Sequence, residues 1–139
     1  MVQKSNPSLA DLAKQAEEAM ADLARTFPAI ATGSVQEIKR SLGEAMGCFD
    51  QERTDIIKQK IYPKLHDLKG QGSTFGYPLI TDVSAHLCNF LRAKKSYTPS
   101  DMQRIKQEVQ TLETILWKKL KGDGGSKGAA ILEMLRKNS

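Results

Sequence analysis

Residues 52–75 read ERTDIIKQKIYPKLHDLKGQGSTF, and this stretch decides the fold. Ile57, Ile61, Leu65, Leu68 and Phe75, with Gly72 on the same side, recur at helical spacing. At about 100° per residue they fall within a sector roughly 80° wide, the stripe of a helix that buries one face. On the same wheel His66 lies roughly 140° from the stripe centre, so it is expected to point to solvent. Gly70, one turn later, also lies opposite the stripe. Gln59, Tyr62 and Ser73 fall on the outer face near His66, and Lys69 flanks it.

Several residues here disfavour a helix. A glycine inside a helix costs about 1 kcal/mol relative to alanine, and Gly70 and Gly72 both follow His66 closely. Pro63 removes a backbone donor and bends the helix. Locally unfavourable choices of this kind have a packing or functional reason. Close helix packing accounts for Gly72. Gly70 faces outward, and room for another protein to approach His66 accounts for it better. A lone histidine on an apolar face is ordinarily a hydrogen-bonded core residue, and His66 is not on that face.

Outward from this helix, the same periodicity accounts for nearly the whole chain. A first helix is expected from about Pro7 to Phe27, capped by Asn6 or Ser8. Its stripe is Leu9, Leu12, Ala13, Ala16, Met20, Leu23, Ala24 and Phe27. Pro28 and Gly33 are expected to break it, after which Ser34 caps a second segment carrying Val35, Ile38, Leu42, Ala45 and Met46 to near Gly47. Pro78 opens a helix through Lys94 or Lys95, since proline suits the first helical turn. Thr98-Pro99 starts another, with Met102, Ile105, Val109, Leu112, Leu116 and Leu120 as its stripe. Gly122-Asp123-Gly124-Gly125 ends it, and a short last helix spans Ala129 to Arg136. Amphipathic helices with short connections imply an all-α, antiparallel (up-down) bundle.

Composition agrees with one globular domain. The chain has 139 residues, 40% hydrophobic and 27% charged, enough to bury a single core. The N-terminal residues Met1 to Leu9 are polar and lack the apolar run of a secretory leader. No apolar stretch approaches the length of a membrane span. Cys48 and Cys88 are isolated, without CxxC spacing, and read as reduced thiols of a cytoplasmic protein with no metal site. The net charge of +5 is concentrated in residues 91–139, which hold 11 of the 21 Lys/Arg and 5 of the 16 Asp/Glu. Such a half suits an acidic partner or nucleic acid. The plainer reading puts Lys94, Lys95, Lys118, Lys119 and Lys121 at helix ends, where cations are favoured. No nucleic-acid recognition motif accompanies them. Gly70-Gln71-Gly72 with Gly76 has the wrong spacing for a dinucleotide loop and follows a helix rather than a strand.

His66-Asp67-Leu68-Lys69-Gly70, followed by Phe75-Gly76 and Leu79, resembles the HxLKG…(L/F)G signature of histidine-containing phosphotransfer (HPt) domains. The run GQGSTFGYPLIT at 70–81 is similar to that of stand-alone bacterial members. The similarity covers Val35 to about Leu120, so the expected domain is a four-helix core over about 35–120 with additional N-terminal (7–27) and C-terminal (129–137) helices. The resemblance implies an exposed, phosphorylatable histidine, matched by His66, with a lysine and a glycine one turn later, matched by Lys69 and Gly70. It also implies partners, namely response-regulator receiver domains or a hybrid histidine kinase. The acidic pocket and Mg²⁺ come from the receiver, and the chain needs no cofactor of its own. Many members carry a Gln or Glu on the next core helix that orients the histidine ring. The matching stretch here is His86-Leu87-Cys88-Asn89, with Cys88 at the equivalent place, which leaves Asn89 or water to substitute. His86, at the edge of its stripe, reads as structural.

The chemistry of that expectation is carried by imidazole, which is in good part neutral near pH 7 and offers a ring lone pair to phosphorus. Phosphoryl transfer depends chiefly on positioning and charge stabilisation. Lys69 supplies charge and Gly70 supplies access. The expected function is therefore phosphoryl transfer on His66 between aspartate-bearing receivers, without ATP-dependent kinase activity. The alternative is a degenerate bundle of the same kind that docks on signalling partners without accepting phosphate.

Overall fold

The computed structural model describes residues 6–138. The reading of Met1 to Leu9 falls largely on residues 1–5, outside the described ones. The architecture is all-α, with helices α1 (Leu9–Met46), α2 (Asp50–Ile56), α3 (Tyr62–Gly72), α4 (Pro78–Arg92), α5 (Pro99–Trp117) and α6 (Gly125–Lys137). A π-helical segment, Ile57–Ile61, joins α2 to α3, and a 3-10 turn, Ser73–Phe75, follows α3. No strand occurs among the described residues. None of their helices is long and apolar enough to cross a membrane.

The two expected N-terminal helices are one. Ser8 caps α1 reciprocally with Asp11: the Ser8 hydroxyl accepts from the Asp11 amide at 3.1 Å, and the Asp11 carboxylate accepts from the Ser8 amide at 3.3 Å. The helix then runs through Pro28 and Gly33. The reason lies in the buried stripe Phe27, Ala31, Val35, Ile38, Leu42 and Ala45, whose three- and four-residue spacing passes both positions without a phase change. Burial of that face outweighs the donor lost at Pro28. The Pro28 carbonyl additionally accepts from the Thr32 hydroxyl at 2.7 Å. Ser34 consequently sits inside the helix and caps nothing.

Pro63 also leaves its mark, although not as a break. Its missing N–H leaves the Gln59 carbonyl without the usual partner four residues on. The chain widens into the π turn just before it, where the Tyr62 amide donates to the Ile57 carbonyl. The widening keeps Ile57, Ile61, Leu65, Leu68 and Gly72 buried on one side. Phe75 is only half-buried, its ring 5.3 Å from that of Phe27.

The remaining boundaries follow local chemistry. Thr98 and Asp101 form a second capping box, with Pro99 in the first turn of α5. The buried residues Met102, Ile105, Val109, Leu112 and Leu116 match the expected stripe, while Leu120 lies beyond the helix end and is half-buried. The last helix starts earlier than its apolar pattern suggests, because Gly124 (φ 70°) and Gly125 (φ 61°) take backbone conformations that favour glycine. At Gly128 a Cβ would fall 1.6 Å from the Asp123 carbonyl oxygen, so only glycine closes that turn.

One hydrophobic core extends from Phe27 to Leu135, wider than the expected 35–120. α3 packs on α4, α4 on α5, α5 on α1, and α1 on α2 and the π segment; α6 lies against α4. Arg53 ties three chain ends together, donating to the carbonyls of Ala45 (3.2 Å), Cys48 (3.0 Å) and Tyr97 (3.0 Å). These bonds tie the end of α1 and the segment before α5 to α2. Cys48 is half-buried, Cys88 is buried, and both are free thiols.

Substitution at the two glycines of α3 separates packing from exposure. A Cβ at Gly72 would meet Thr81 Oγ1 at 2.7 Å and the backbone of Thr81 and Tyr77 at 2.8 Å, whereas one at Gly70 meets nothing within 4 Å. Gly72→Ala is expected to destabilise the fold by about 1–3 kcal/mol. Gly70→Ala is expected to be neutral or to stabilise by up to about 1 kcal/mol. Urea unfolding followed by circular dichroism measures both, and equal midpoints would contradict the packing asymmetry.

Candidate functional site

α3 presents its polar face because its other face is committed to the core. With Leu65 and Leu68 buried, His66 between them is exposed. Tyr62, one turn earlier and half-buried, stacks obliquely beside it, with ring centroids 6.3 Å apart and planes inclined by 36°. Among the described residues, no side chain hydrogen-bonds to the His66 ring. Gly70, one turn later, is exposed with open space over it. His66 therefore stands between an aromatic neighbour on one side and a bare stretch of helix on the other.

Lys69 flanks this face and is half-buried. Its carbonyl accepts from the Thr81 hydroxyl at 2.9 Å, and the same hydroxyl accepts from the Ser73 amide at 2.8 Å. Thr81 thus stitches the end of α3 to α4 through the gap left by Gly72. Its role was not legible in the sequence; the only signal was a threonine near a glycine on the neighbouring helix. The Lys69 ammonium lies within electrostatic reach of Cys88. Burial pushes that thiol up from its ordinary value, and the charges of Lys69 and Arg92 pull it the other way. The Cys88 thiol is accordingly buried and held neutral.

The other expected residues divide. Ser73 is exposed in the 3-10 turn, two turns beyond His66. Gln59 borders a groove with Glu37, Arg40 and Glu44 of α1, so the structure sets it on the α1 side of the helix rather than beside His66. The π turn lies between the two, and the ideal α-helical wheel does not carry across it. Asn89 is exposed, and its side-chain oxygen accepts from Arg92 at 2.5 Å. His86 is structural in its surroundings. Its Nδ1 lies 2.5 Å from Oε1 of Glu108, a carboxylate with no solvent exposure, whose other oxygen accepts from Arg104 Nε at 3.3 Å. Arg104 also lies over the Phe90 ring, 4.2 Å from its centroid, and donates to the Asn138 carbonyl.

A feature beyond the expected residues adjoins the site. Lys58, Tyr62, Leu91, Arg92, Lys94, Lys95 and Tyr97 line a shallow groove of about 380 Å³. Tyr62 is common to this groove and to the surroundings of His66, so a rim of four cationic side chains begins one helical turn from the imidazole. Only Lys94 among them has an acidic partner, Asp101 at 3.0 Å. The sequence placed Lys94 and Lys95 at a helix end. It gave no sign that Lys58, from the segment before α3, would join them. Among the described residues no cluster of three or more His, Cys, Asp and Glu side chains suits a metal ion.

Comparison with protein-family models, with curated proteins and with solved structures gives no match to this chain.

Proposed function

We propose that this protein is a phosphotransfer protein of the histidine-containing type, accepting a phosphoryl group on His66 from the aspartate of a receiver domain and passing it to another. The fold that suits this role is an up-down four-helix bundle of α1, the α2–α3 rod, α4 and α5. The observation that carries the reading is an exposed imidazole on the outer face of α3, with open space over Gly70 one turn away. A receiver has to bring its aspartyl phosphate to the ring, and a side chain at position 70 would stand on that approach.

In the proposed step, the lone pair of one His66 ring nitrogen forms the N–P bond. The P–O bond to the partner's aspartate breaks, and its electron pair leaves with the carboxylate. The proton on the other ring nitrogen is retained or passes to solvent. The Lys69 ammonium offsets charge on the phosphoryl oxygens. The cationic rim of Lys58, Arg92 and Lys95 draws an acidic partner toward the same face, an attraction that salt weakens. The acidic pocket and Mg²⁺ of the reaction belong to the receiver.

A second reading rests on one observation, the absence of a hydrogen bond to the His66 ring among the described residues. On that reading the chain docks on the same partners without accepting phosphate. Incubation with a phosphorylated receiver and labelled phosphate decides between them. Label on the wild-type protein supports transfer; stable binding without label supports docking alone.

Four variants test the roles. His66→Gln is expected to abolish labelling while leaving the helical circular dichroism and melting unchanged, since the side chain projects from the core. Equal labelling of the variant would move the site elsewhere. Gly70→Leu is expected to slow transfer at least tenfold with little change in melting temperature, and a wild-type rate would refute the steric role. Lys69→Ala is expected to slow transfer or shorten the phosphohistidine lifetime several-fold, on the roughly 1 kcal/mol scale of an exposed ion pair. Lys69→Arg is expected to retain much of the function, because charge matters more here than fork geometry. A wild-type rate and lifetime for Lys69→Ala at low salt would remove the lysine from the mechanism.

A further inference from the structure

The end of the bundle where α5 finishes and α6 begins carries charge that its own helices do not require. Lys118, Lys119, Lys121 and Lys127 are all exposed there. None of the four has an acidic partner among the described residues. Asp123, the one acid between them in sequence, accepts instead from the Gly125 amide at 2.9 Å. Helix electrostatics accounts for Lys118, which caps the C-terminus of α5. It does not account for Lys127, in the first turn of α6, where a cation is disfavoured and no acid is present. Lys119 is also out of place. Past the end of α5 the Leu120 amide donates to the Ile115 carbonyl at 3.0 Å and the Lys119 amide to that of Leu116 at 3.3 Å. The left-handed residue of such a closure is usually glycine, and here it is Lys119, at φ 52°. The Lys118 and Lys127 ammonium groups lie close together, and Lys118 lowers the pKa of Lys127. Like charges are gathered here against local preference, and an anionic ligand of several charges relieves them.

An aromatic ring stands beside this cluster. Trp117, the only tryptophan of the chain, is 82% exposed. It lines a groove of about 440 Å³ between α1 and α5, to which Lys118 also contributes. Val35 and Leu116 give the groove a buried apolar part. Its one carboxylate is Glu113, whose Oε2 accepts from Lys39 at 2.8 Å and from Gln36 at 3.0 Å. The Lys39 bond chiefly holds that carboxyl below its ordinary value. A carboxylate in the groove turns phosphate away toward the lysines and leaves the groove to an uncharged ring. Because both bonds fall on Oε2, Oε1 is open to accept from the exocyclic amine of a base. A stacking surface with cations alongside it is the arrangement that holds unpaired nucleotides.

Other polyanions use less of it. A duplex hides its base faces and leaves Trp117 without a role. A membrane surface calls for several apolar side chains, and Leu120, the one apolar residue within the lysine run, is half-buried against the core. A free nucleotide presents its phosphate at one point, whereas the lysines come from the end of α5, the connection and α6.

We infer that this end of the bundle binds single-stranded nucleic acid, with a base stacked on Trp117 in the groove between α1 and α5 and the flanking phosphates on Lys118, Lys119, Lys121 and Lys127. The site uses no residue of α3, so it is independent of the function proposed for His66.

The test is fluorescence anisotropy of labelled RNA oligonucleotides about a dozen residues long, titrated with the full chain. Oligo(C) is expected to bind with a Kd on the order of 10 µM near physiological salt, weakening steeply as salt rises. Trp117→Ala is expected to weaken binding at least about fivefold, and Trp117→Phe, which keeps a ring, to retain most of it. Lys118→Gln combined with Lys127→Gln is expected to weaken binding and to reduce the slope of log K against log salt by about 1.4. All of these variants are expected to melt with the wild type, because the replaced side chains are exposed. Oligo(U), which lacks the exocyclic amine, is expected to bind several-fold more weakly than oligo(C).

No binding of either oligonucleotide at about 200 µM protein overturns the proposal. Binding that survives both Trp117→Ala and the double lysine variant overturns the site. Equally tight binding of a duplex of the same length, or of cytidine monophosphate, overturns the single-strand reading. Retention on phosphatidylserine vesicles without oligonucleotide binding overturns it in favour of a lipid surface. Equal affinity for oligo(C) and oligo(U) overturns the part given to Glu113.

Discussion

The approach of α3 to α4 at Gly72 governs how the outer face of α3 is presented. With no side chain at position 72, the Thr81 hydroxyl reaches across to accept from the Ser73 amide and donate to the Lys69 carbonyl. The last turn of α3 is thereby hydrogen-bonded to a neighbouring helix as well as to itself. A bulkier residue at 72 would push the helices apart and break both bonds at once. Because this contact pins the inner side of α3, the opposite side, with His66 and Gly70, is held outward.

The two glycines of that helix show how one local cost serves two purposes. Each lowers helix propensity by a similar amount, yet one is filled by a neighbour and the other by nothing. The first is a packing requirement and the second leaves bare surface beside an exposed imidazole. Propensity alone cannot tell them apart; the phase of each glycine relative to the apolar stripe can. Pro63 and the π turn before it alter that phase locally, which is why Tyr62 remains beside His66 while Gln59 is carried toward α1.

The buried carboxylate of the core is paired rather than poised, whereas the buried hydroxyls of Tyr77 and Ser84 have no hydrogen-bond partner among the described residues. Glu108 is fully buried but engaged by His86 at one oxygen and Arg104 at the other, so removal of either partner would leave one buried oxygen without its hydrogen bond. Arg53 performs a similar task where α1 ends and α5 approaches, its several donors reaching the carbonyls of Ala45, Cys48 and Tyr97. Both clusters hold elements together. The cationic groove beside Tyr62 differs, since most of its charges face solvent without acidic partners.

The sequence by itself determined the all-helical class, the buried stripe of α3, the exposure of His66, the different meanings of Gly70 and Gly72, and the capped starts of α1 and α5. All of these depend on periodicity and on hydrogen bonds within a few residues, which a linear reading captures. Only tertiary structure decided that α1 continues through Pro28, because the burial that outweighs the missing donor comes from helices distant in sequence. The same holds for the Thr81 bridge, for the convergence of Lys58 with Arg92 and Lys95, and for the place of Gln59. An apolar stripe predicts that a helix face will be covered. It does not say by what, and along the first half of α1 no other described residue supplies the covering surface.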